Sequence, residues 1–109
     1  MHTDLPEKLY YSIGEVAKAF DVNTSLIRFW EKEFDVLQPR KSSGGKRKFT
    51  QEDIKNLRLI YNLVKERGYT LEGAKAQLKK QERKELSRIE IIRKLEHVKA
   101  MLLQIKAQL

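Results

Sequence analysis

Two short apolar stretches with helical spacing, separated by a three-residue break, constrain the fold of this chain most. The first begins at a capping box from Ser12 to Glu15 and continues with apolar residues at helical spacing, which predicts a helix over residues 12–20. The break Asp21-Val22-Asn23 follows, and Asn23 or Thr24 can cap a second helix over residues 24–34. Two helices joined by so short a turn predict a helix-turn-helix unit.

The second predicted helix has two chemically different faces. At about 100° per residue, one side carries Ile27 together with Leu26, Trp30 and Phe34, and this side is expected to be core. The other side is basic and hydroxylated and carries Ser25, Arg28, Phe29 and Lys32. Because Phe29 is an aromatic residue opposite the core side, it must pack against another part of the chain or contact a partner.

Positive charge is concentrated in residues 36–49, which we call the wing. The whole chain has 23 Lys and Arg against 15 Asp and Glu, a formal net charge of +8, which favours a polyanionic partner such as nucleic acid. The wing holds five cations and no acid around the turn Ser42 to Gly45; they are Arg40, Lys41, Lys46, Arg47 and Lys48. With Pro39 keeping the first strand at an edge, the segment predicts a basic two-stranded hairpin.

Two further helices are predicted after the wing. A Thr-x-x-Asp cap from Thr50 to Asp53 opens the first, which ends at Gly68. Its predicted buried stripe is Ile54, Leu57, Ile60, Tyr61 and Val64. Thr70 then caps a shorter helix that carries Leu71, Ala74 and Leu78.

The C-terminal residues show the spacing of a coiled coil. Six apolar residues, which we call the seam, step by four and three positions: Ile91, Leu95, Val98, Leu102, Ile105 and Leu109. This narrow stripe on a charged helix favours dimerisation over a helix packed back on its own domain, and the spacing leaves both parallel and antiparallel pairing open. Leu86, Ile89 and Ile92 are out of register with the seam and are expected to pack on the globular part.

The sequence carries no constellation typical of an enzyme. It has no cysteine, and its histidines, His2 and His97, are too far apart for a metal-binding motif. It has no glycine-rich phosphate loop, and a salt-bridged or solvated helix end explains the acids Glu31, Glu33 and Asp35 better than an acid-base pair does. We therefore expect no catalysis, metal or cofactor. The sequence also lacks a membrane span and a secretory signal, so the cytoplasm is the expected location.

The segment from Tyr11 to Leu78 resembles the MerR-type winged helix-turn-helix domain of bacterial transcription regulators. Four pieces occur in the order and spacing of that family: YSIGEVAKAFDVN, SLIRFWEKE, GKRKFTQEDI and RGYTLEGAKAQL. The second piece resembles the "IRYYE" helix of the family, and the third resembles its wing. The resemblance implies a homodimer whose recognition helices enter the major groove of DNA, whose wings contact the flanking backbone and whose C-terminal helices pair antiparallel. Many members act at promoters, so RNA polymerase is a partner the resemblance implies.

The resemblance also implies roles for individual residues. It places Thr24, Ser25 and Arg28 at the groove and the adjoining phosphates, Phe29 beside the DNA backbone, and Arg47 as the anchor of the wing. The sequence departs from the family pattern at Lys46, where an aromatic residue is usual, and at Asp21, where glycine is frequent. The sequence ends straight after the predicted dimerisation helix and has no cysteine, so we expect a member without an effector domain.

Together these observations predict a mainly α-helical protein. A flexible tail (1–10) precedes a winged helix-turn-helix domain of helices and a two-stranded β wing (11–80), and a C-terminal dimerisation helix (81–109) follows. The expected DNA-binding residues are Thr24, Ser25, Arg28, Phe29, Lys32, Arg40, Lys41, Lys46, Arg47 and Lys48. The expected function is sequence-specific transcriptional regulation by a homodimer. The alternatives are an architectural, excisionase-like protein that bends DNA and a coiled-coil adaptor that binds another protein.

Overall fold

The computed structural model describes residues 5–109, and it has the mainly α-helical winged helix-turn-helix architecture that the sequence predicts. Its helices are α1 (Ile13–Phe20), α2 (Thr24–Glu33), α3 (Gln51–Tyr61) and α4 (Leu71–Ala107). The wing forms an antiparallel pair of two-residue strands, β1 (Arg40–Lys41) and β2 (Arg47–Lys48). The contacts divide the chain inside α4, into a unit that ends at Ala74 and a unit from Lys75 to Leu109. The predicted division lies after residue 80.

The helix-turn-helix unit follows from local capping chemistry. Ser12 accepts a hydrogen bond from the Glu15 backbone N–H, and the Glu15 carboxylate accepts one from the Ser12 N–H, which confirms the predicted capping box. Asp21 ends α1 in the left-handed conformation (φ 54°), where its N–H reaches the last carbonyls of the helix. Asn23 occupies the cap position of α2 without a side-chain hydrogen bond. The position at which the family favours glycine therefore does have a positive φ, and here an aspartate adopts it.

The core of the first unit lies between the helices and the base of the wing. Ile27, Trp30 and Phe34 are buried as predicted, while Leu26 is half-buried. The Tyr61 ring lies 5.7 Å from that of Phe20 and meets that of Trp30 edge-on at 6.5 Å. These aromatic contacts join α3 to both helices of the helix-turn-helix unit.

A π-helical turn from Asn62 to Glu66 extends α3, and the sequence does not predict it. The Arg67 N–H donates to the Asn62 carbonyl, five residues back, and Gly68 then ends the helix with a φ of 70°. Within the turn the buried residue is Leu63, whereas Val64, which the helical spacing places in the core, is half-buried, as is Tyr61 just before the turn. The stop at Gly68 is confirmed, and the buried stripe needs this correction because the turn changes the helical phase.

α4 is one continuous helix of 37 residues, whereas the sequence predicts a shorter helix followed by a separate terminal one. Thr70 caps it as predicted, since its hydroxyl accepts the Gly73 N–H at 3.0 Å. The residues between the two predicted helices are mostly Lys, Glu, Gln and Arg, which favour helix without any apolar stripe. Leu86, Ile89 and Ile92, which the sequence predicts to pack on the globular part, are exposed on α4.

The sequence predicts a flexible tail over residues 1–10, but residues 5–10 are held by hydrogen bonds. Residues 1–4 of that tail, including His2, lie outside the described residues. The Tyr11 hydroxyl donates to the Pro6 carbonyl at 2.6 Å and accepts the Lys8 N–H at 3.1 Å. Gln51, at the start of α3, donates to the Lys8 carbonyl. The buried Tyr11 thus holds this segment against the first unit.

Candidate nucleic-acid interface

The outward face of α2 is the first part of the candidate interface. Ser25, Arg28 and Lys32 are exposed there, and Thr24 is half-buried at the start of the helix. The opposite face is anchored by the buried Ile27 and Trp30. A rigid helix therefore presents hydrogen-bonding and cationic side chains to solvent, as required for reading base edges in a major groove.

Phe29 lies on the same outward face and remains 45% exposed. It borders a groove that is also lined by Ser25 and Leu26 of α2, by the turn between α1 and α2, and by Lys65 of the π-helical turn. The helical spacing on α2 indicated that Phe29 is exposed. It could not indicate that Lys65 lies at the same groove, because that placement depends on the packing of α3.

The wing is the second part of the candidate interface. Its turn is closed by hydrogen bonds from the Ser42 N–H to the Lys46 carbonyl (2.8 Å) and from the Gly45 N–H to the Ser42 carbonyl (2.9 Å). Gly45 has a φ of 76°, a conformation that glycine adopts without strain. Four of the five predicted wing cations are exposed: Arg40, Lys41, Lys46 and Lys48.

The strand register places cations opposite cations. Arg40 pairs with Lys48 and Lys41 pairs with Arg47, so both cross-strand pairs are positively charged. Like charges directly opposite in an antiparallel pair destabilise it. A charge pattern that weakens the hairpin while concentrating positive potential is typical of a surface that binds an anion.

Arg47 differs from the other wing cations, because its guanidinium Nε donates to the Glu31 carboxylate of α2. Both side chains are largely covered, with 28% of Arg47 and 19% of Glu31 exposed. The structure thus places this predicted DNA-binding residue in an ion pair between β2 and α2. Glu31, one of the acids at the end of α2, has the salt-bridged role that the sequence suggested.

Three contacts hold the base of the wing. The buried Asp53 carboxylate accepts the Gln38 N–H at 3.1 Å, just before β1, and also completes the predicted capping box with Thr50. Tyr11 and Phe49 exchange backbone hydrogen bonds of 2.8 Å just after β2. Lys48 lies over the Tyr10 ring, 5.4 Å from its centroid. The ends of the hairpin are therefore fixed, while its turn extends into solvent.

The six seam residues are all exposed in the single chain. The same holds for apolar residues on other sides of the helix, including Met101 and Leu103. Such a length of exposed apolar surface is typical of an interaction site.

Neither a metal-binding cluster nor a membrane-spanning helix occurs in the described part of the chain. Across residues 5–109, no three His, Asp or Glu side chains come together as potential metal ligands. No helix in this range is long and apolar enough to cross a membrane.

Comparisons with known proteins agree with this geometry. The family described as "MerR HTH family regulatory protein" matches residues 11–81. The HTH-type transcriptional regulator MlrA of Escherichia coli is 40% identical over 50 residues, which make up 46% of this chain and 21% of that relative. This chain therefore spans about a fifth of the length of this relative.

Solved structures of two MerR-family regulators are among those that share the fold. A MerR-family transcriptional regulator from Bacillus cereus has a TM-score of 0.57 at 22% identity, covering 86% of this chain and 75% of the other. HiNmlR, a MerR-family regulator that lacks the sensor domain and is bound to promoter DNA, has a TM-score of 0.55 at 22% identity. That match covers 89% of this chain and 79% of HiNmlR. At these identities the two structures establish the fold.

Proposed function

The chain belongs to the MerR family of helix-turn-helix regulatory proteins, and from this premise we propose that it is a sequence-specific, DNA-binding transcriptional regulator that acts as a homodimer. The observation that carries the proposal is the wing, in which both cross-strand pairs are cationic next to an exposed, basic recognition helix. Phosphates between the paired cations would relieve their repulsion, which makes a polyanionic backbone a fitting partner.

The two parts of the interface have different tasks in this proposal. Thr24, Ser25, Arg28, Phe29 and Lys32 on α2 lie at the major groove and its adjoining phosphates, where Arg28 makes a bidentate contact to a guanine. The outward wing cations Arg40, Lys41, Lys46 and Lys48 contact flanking phosphates and set the register without reading bases. At a promoter, a protein bound in this way would act together with RNA polymerase.

The exposed seam supports homodimerisation, because a second copy with the same stripe buries all six apolar residues. The continuous helix also bears on the direction of pairing. Counting back from Ile91 in the same register, the seam positions are occupied by Arg88 and Lys84. Parallel pairing in register would place each of these cations opposite its own copy, whereas antiparallel pairing centred on the seam separates them. We therefore propose antiparallel pairing.

Binding selection from a random duplex library tests the proposed DNA binding. We expect one palindromic sequence, with half-sites about one helical turn apart or a multiple of it. Arg28→Ala should weaken binding to that sequence by about 1 to 3 kcal/mol and remove the preference at one base pair per half-site. The combined replacement of Lys41, Lys46 and Lys48 by Ala should weaken binding to all sequences and keep the preference.

Other results of this selection would overturn the proposed function. Filament formation with weak sequence preference would indicate an architectural, excisionase-like protein. Failure to bind any duplex, together with a stable complex with another protein, would indicate an adaptor. If Arg28→Ala weakens binding equally for all sequences, Arg28 contacts a phosphate and not a base.

Charges introduced into the seam test the proposed dimer. Leu102→Lys with Ile105→Lys should give monomers in sedimentation equilibrium and lower affinity for the palindrome about a hundredfold or more, with little change for a half-site. The matched control is Met101→Lys with Leu103→Lys, which adds the same charge about 100° to either side of Leu102 and should leave the dimer intact. If the first variant stays dimeric at micromolar concentration, the seam is not the interface.

A further inference from the structure

We propose that Glu31 and Arg47 are positioning residues that hold the wing at a set orientation to the recognition helix, so that the groove and the flanking phosphates are engaged together. This inference rests on the proposed DNA binding and assigns Arg47 a role other than a phosphate contact. It starts from the ion pair between Glu31 of α2 and Arg47 of the wing, which joins the two parts of the interface.

The geometry separates Arg47 from the rest of the wing. The other four cations are exposed, whereas Arg47 is half-buried against a carboxylate from an element 16 residues earlier in the chain. A guanidinium that donates to a largely covered carboxylate has less of its charge available for phosphate. Arg47 therefore contributes to the position of the wing more than to its outward charge.

The wing has few other means of holding its orientation. Each strand has only two residues, and the opposing cations weaken their pairing. The Asp53 and Tyr11 contacts, together with Lys48 over the Tyr10 ring, hold the two ends of the hairpin at its base. Above that base, the Glu31 contact is what joins β2 to α2, the helix whose outward face reads the bases.

The electrostatic consequence distinguishes this role from a phosphate contact. Without Arg47, Glu31 would be an unpaired negative charge beside the proposed DNA surface and would repel phosphates. Paired, the two groups are neutral together. If Glu31 only competed with DNA for Arg47, replacing Glu31 with Gln would improve specific binding. If the pair positions the wing, the same replacement lowers the preference for the selected palindrome, which we call the operator, over random sequence.

The experiment compares operator with random duplex for Glu31→Gln, Arg47→Gln, the double variant and the charge exchange Glu31→Arg with Arg47→Glu, all as full-length chains. Two controls change charge nearby: Asp35→Asn removes an exposed acid at the end of α2, and Lys46→Gln removes an exposed wing cation. The readouts are the ratio of operator affinity to random-duplex affinity and the slope of log affinity against log salt.

We expect each single replacement to lower the affinity ratio about tenfold, and the double variant to lower it about tenfold as well, since both remove one shared contact. The charge exchange should restore much of the ratio. Asp35→Asn should leave the ratio unchanged. Lys46→Gln should make the salt slope shallower by about 2 per dimer, whereas Arg47→Gln should leave it nearly unchanged.

Three results would overturn the inference: a higher ratio for Glu31→Gln, a slope change for Arg47→Gln equal to that for Lys46→Gln, or independent effects that multiply in the double variant. Circular dichroism shows whether a single replacement unfolds the chain. If it does, the charge-exchange variant is the test: when that variant is folded but its affinity ratio stays low, the ion pair does not position the wing. If the unaltered protein binds no duplex, the proposed function itself fails, and the two failures are thereby distinguished.

Discussion

The Asp53 carboxylate accepts hydrogen bonds from the wing as well as from its own capping box, so its removal should lower the free energy of unfolding. One oxygen accepts the Gln38 N–H, and the other accepts both the N–H and the hydroxyl of Thr50, all at 3.1 Å. Asp53→Ala leaves two part-buried backbone donors without their acceptor. At about 1 to 2 kcal/mol for each donor, the free energy of unfolding should fall by about 2 to 4 kcal/mol.

Chemical denaturation at a fixed protein concentration measures this loss, and two controls define its origin. Asp53→Asn retains one acceptor oxygen and should lose about half as much. Glu15→Ala disrupts the equivalent capping box on the exposed surface of α1 and should cost clearly less than Asp53→Ala. A loss below about 1 kcal/mol for Asp53→Ala would contradict this role of Asp53, since it would show that water satisfies both donors at no cost.

Two further changes probe the core and the first capping box. Trp30→Ala removes a side chain that is 1% exposed and should lower the free energy of unfolding by about 3 to 5 kcal/mol; a loss under about 1 kcal/mol in denaturant titration would contradict its place in the core. Lys8, together with the Ser12 backbone N–H, lowers the pKa of Glu15, so the stability that Glu15 adds is present at neutral pH and is lost as pH falls through the lowered pKa. The difference in unfolding free energy between the unaltered protein and Glu15→Gln should therefore shrink from about pH 7 to about pH 3. A difference that grows as the pH falls would show that folding raises the pKa of Glu15 instead of lowering it.

Local signals in the sequence predict much of the fold. The capping boxes at Ser12 and Thr50 locate the starts of α1 and α3, because their side-chain partners lie only three residues apart. On α2, the helical spacing separates the buried Trp30 from the exposed Arg28 and Phe29. These features depend on neighbours along the chain, which the sequence shows directly.

Features that depend on packing could not be predicted in the same way. The π-helical turn at residues 62–66 has no periodic signature, because it arises from a hydrogen bond shifted by one residue. The ion pair between Glu31 and Arg47 and the hydrogen bond between Gln38 and Asp53 join residues 16 and 15 positions apart. Any acid at the end of α2 could have been the partner of Arg47, and only the folded arrangement of wing and helix selects Glu31.

The salt dependence of operator binding measures how many phosphates the wings neutralise. Four outward wing cations per protomer give eight per dimer, and at about 0.9 per neutralised phosphate the slope of log affinity against log salt should be about −7 or steeper. Replacing Lys41, Lys46 and Lys48 with Ala removes six of these eight cations and should make the slope much shallower at unchanged base preference. A slope shallower than about −2 for the unaltered protein would contradict the account, because the wing would then not neutralise the DNA backbone.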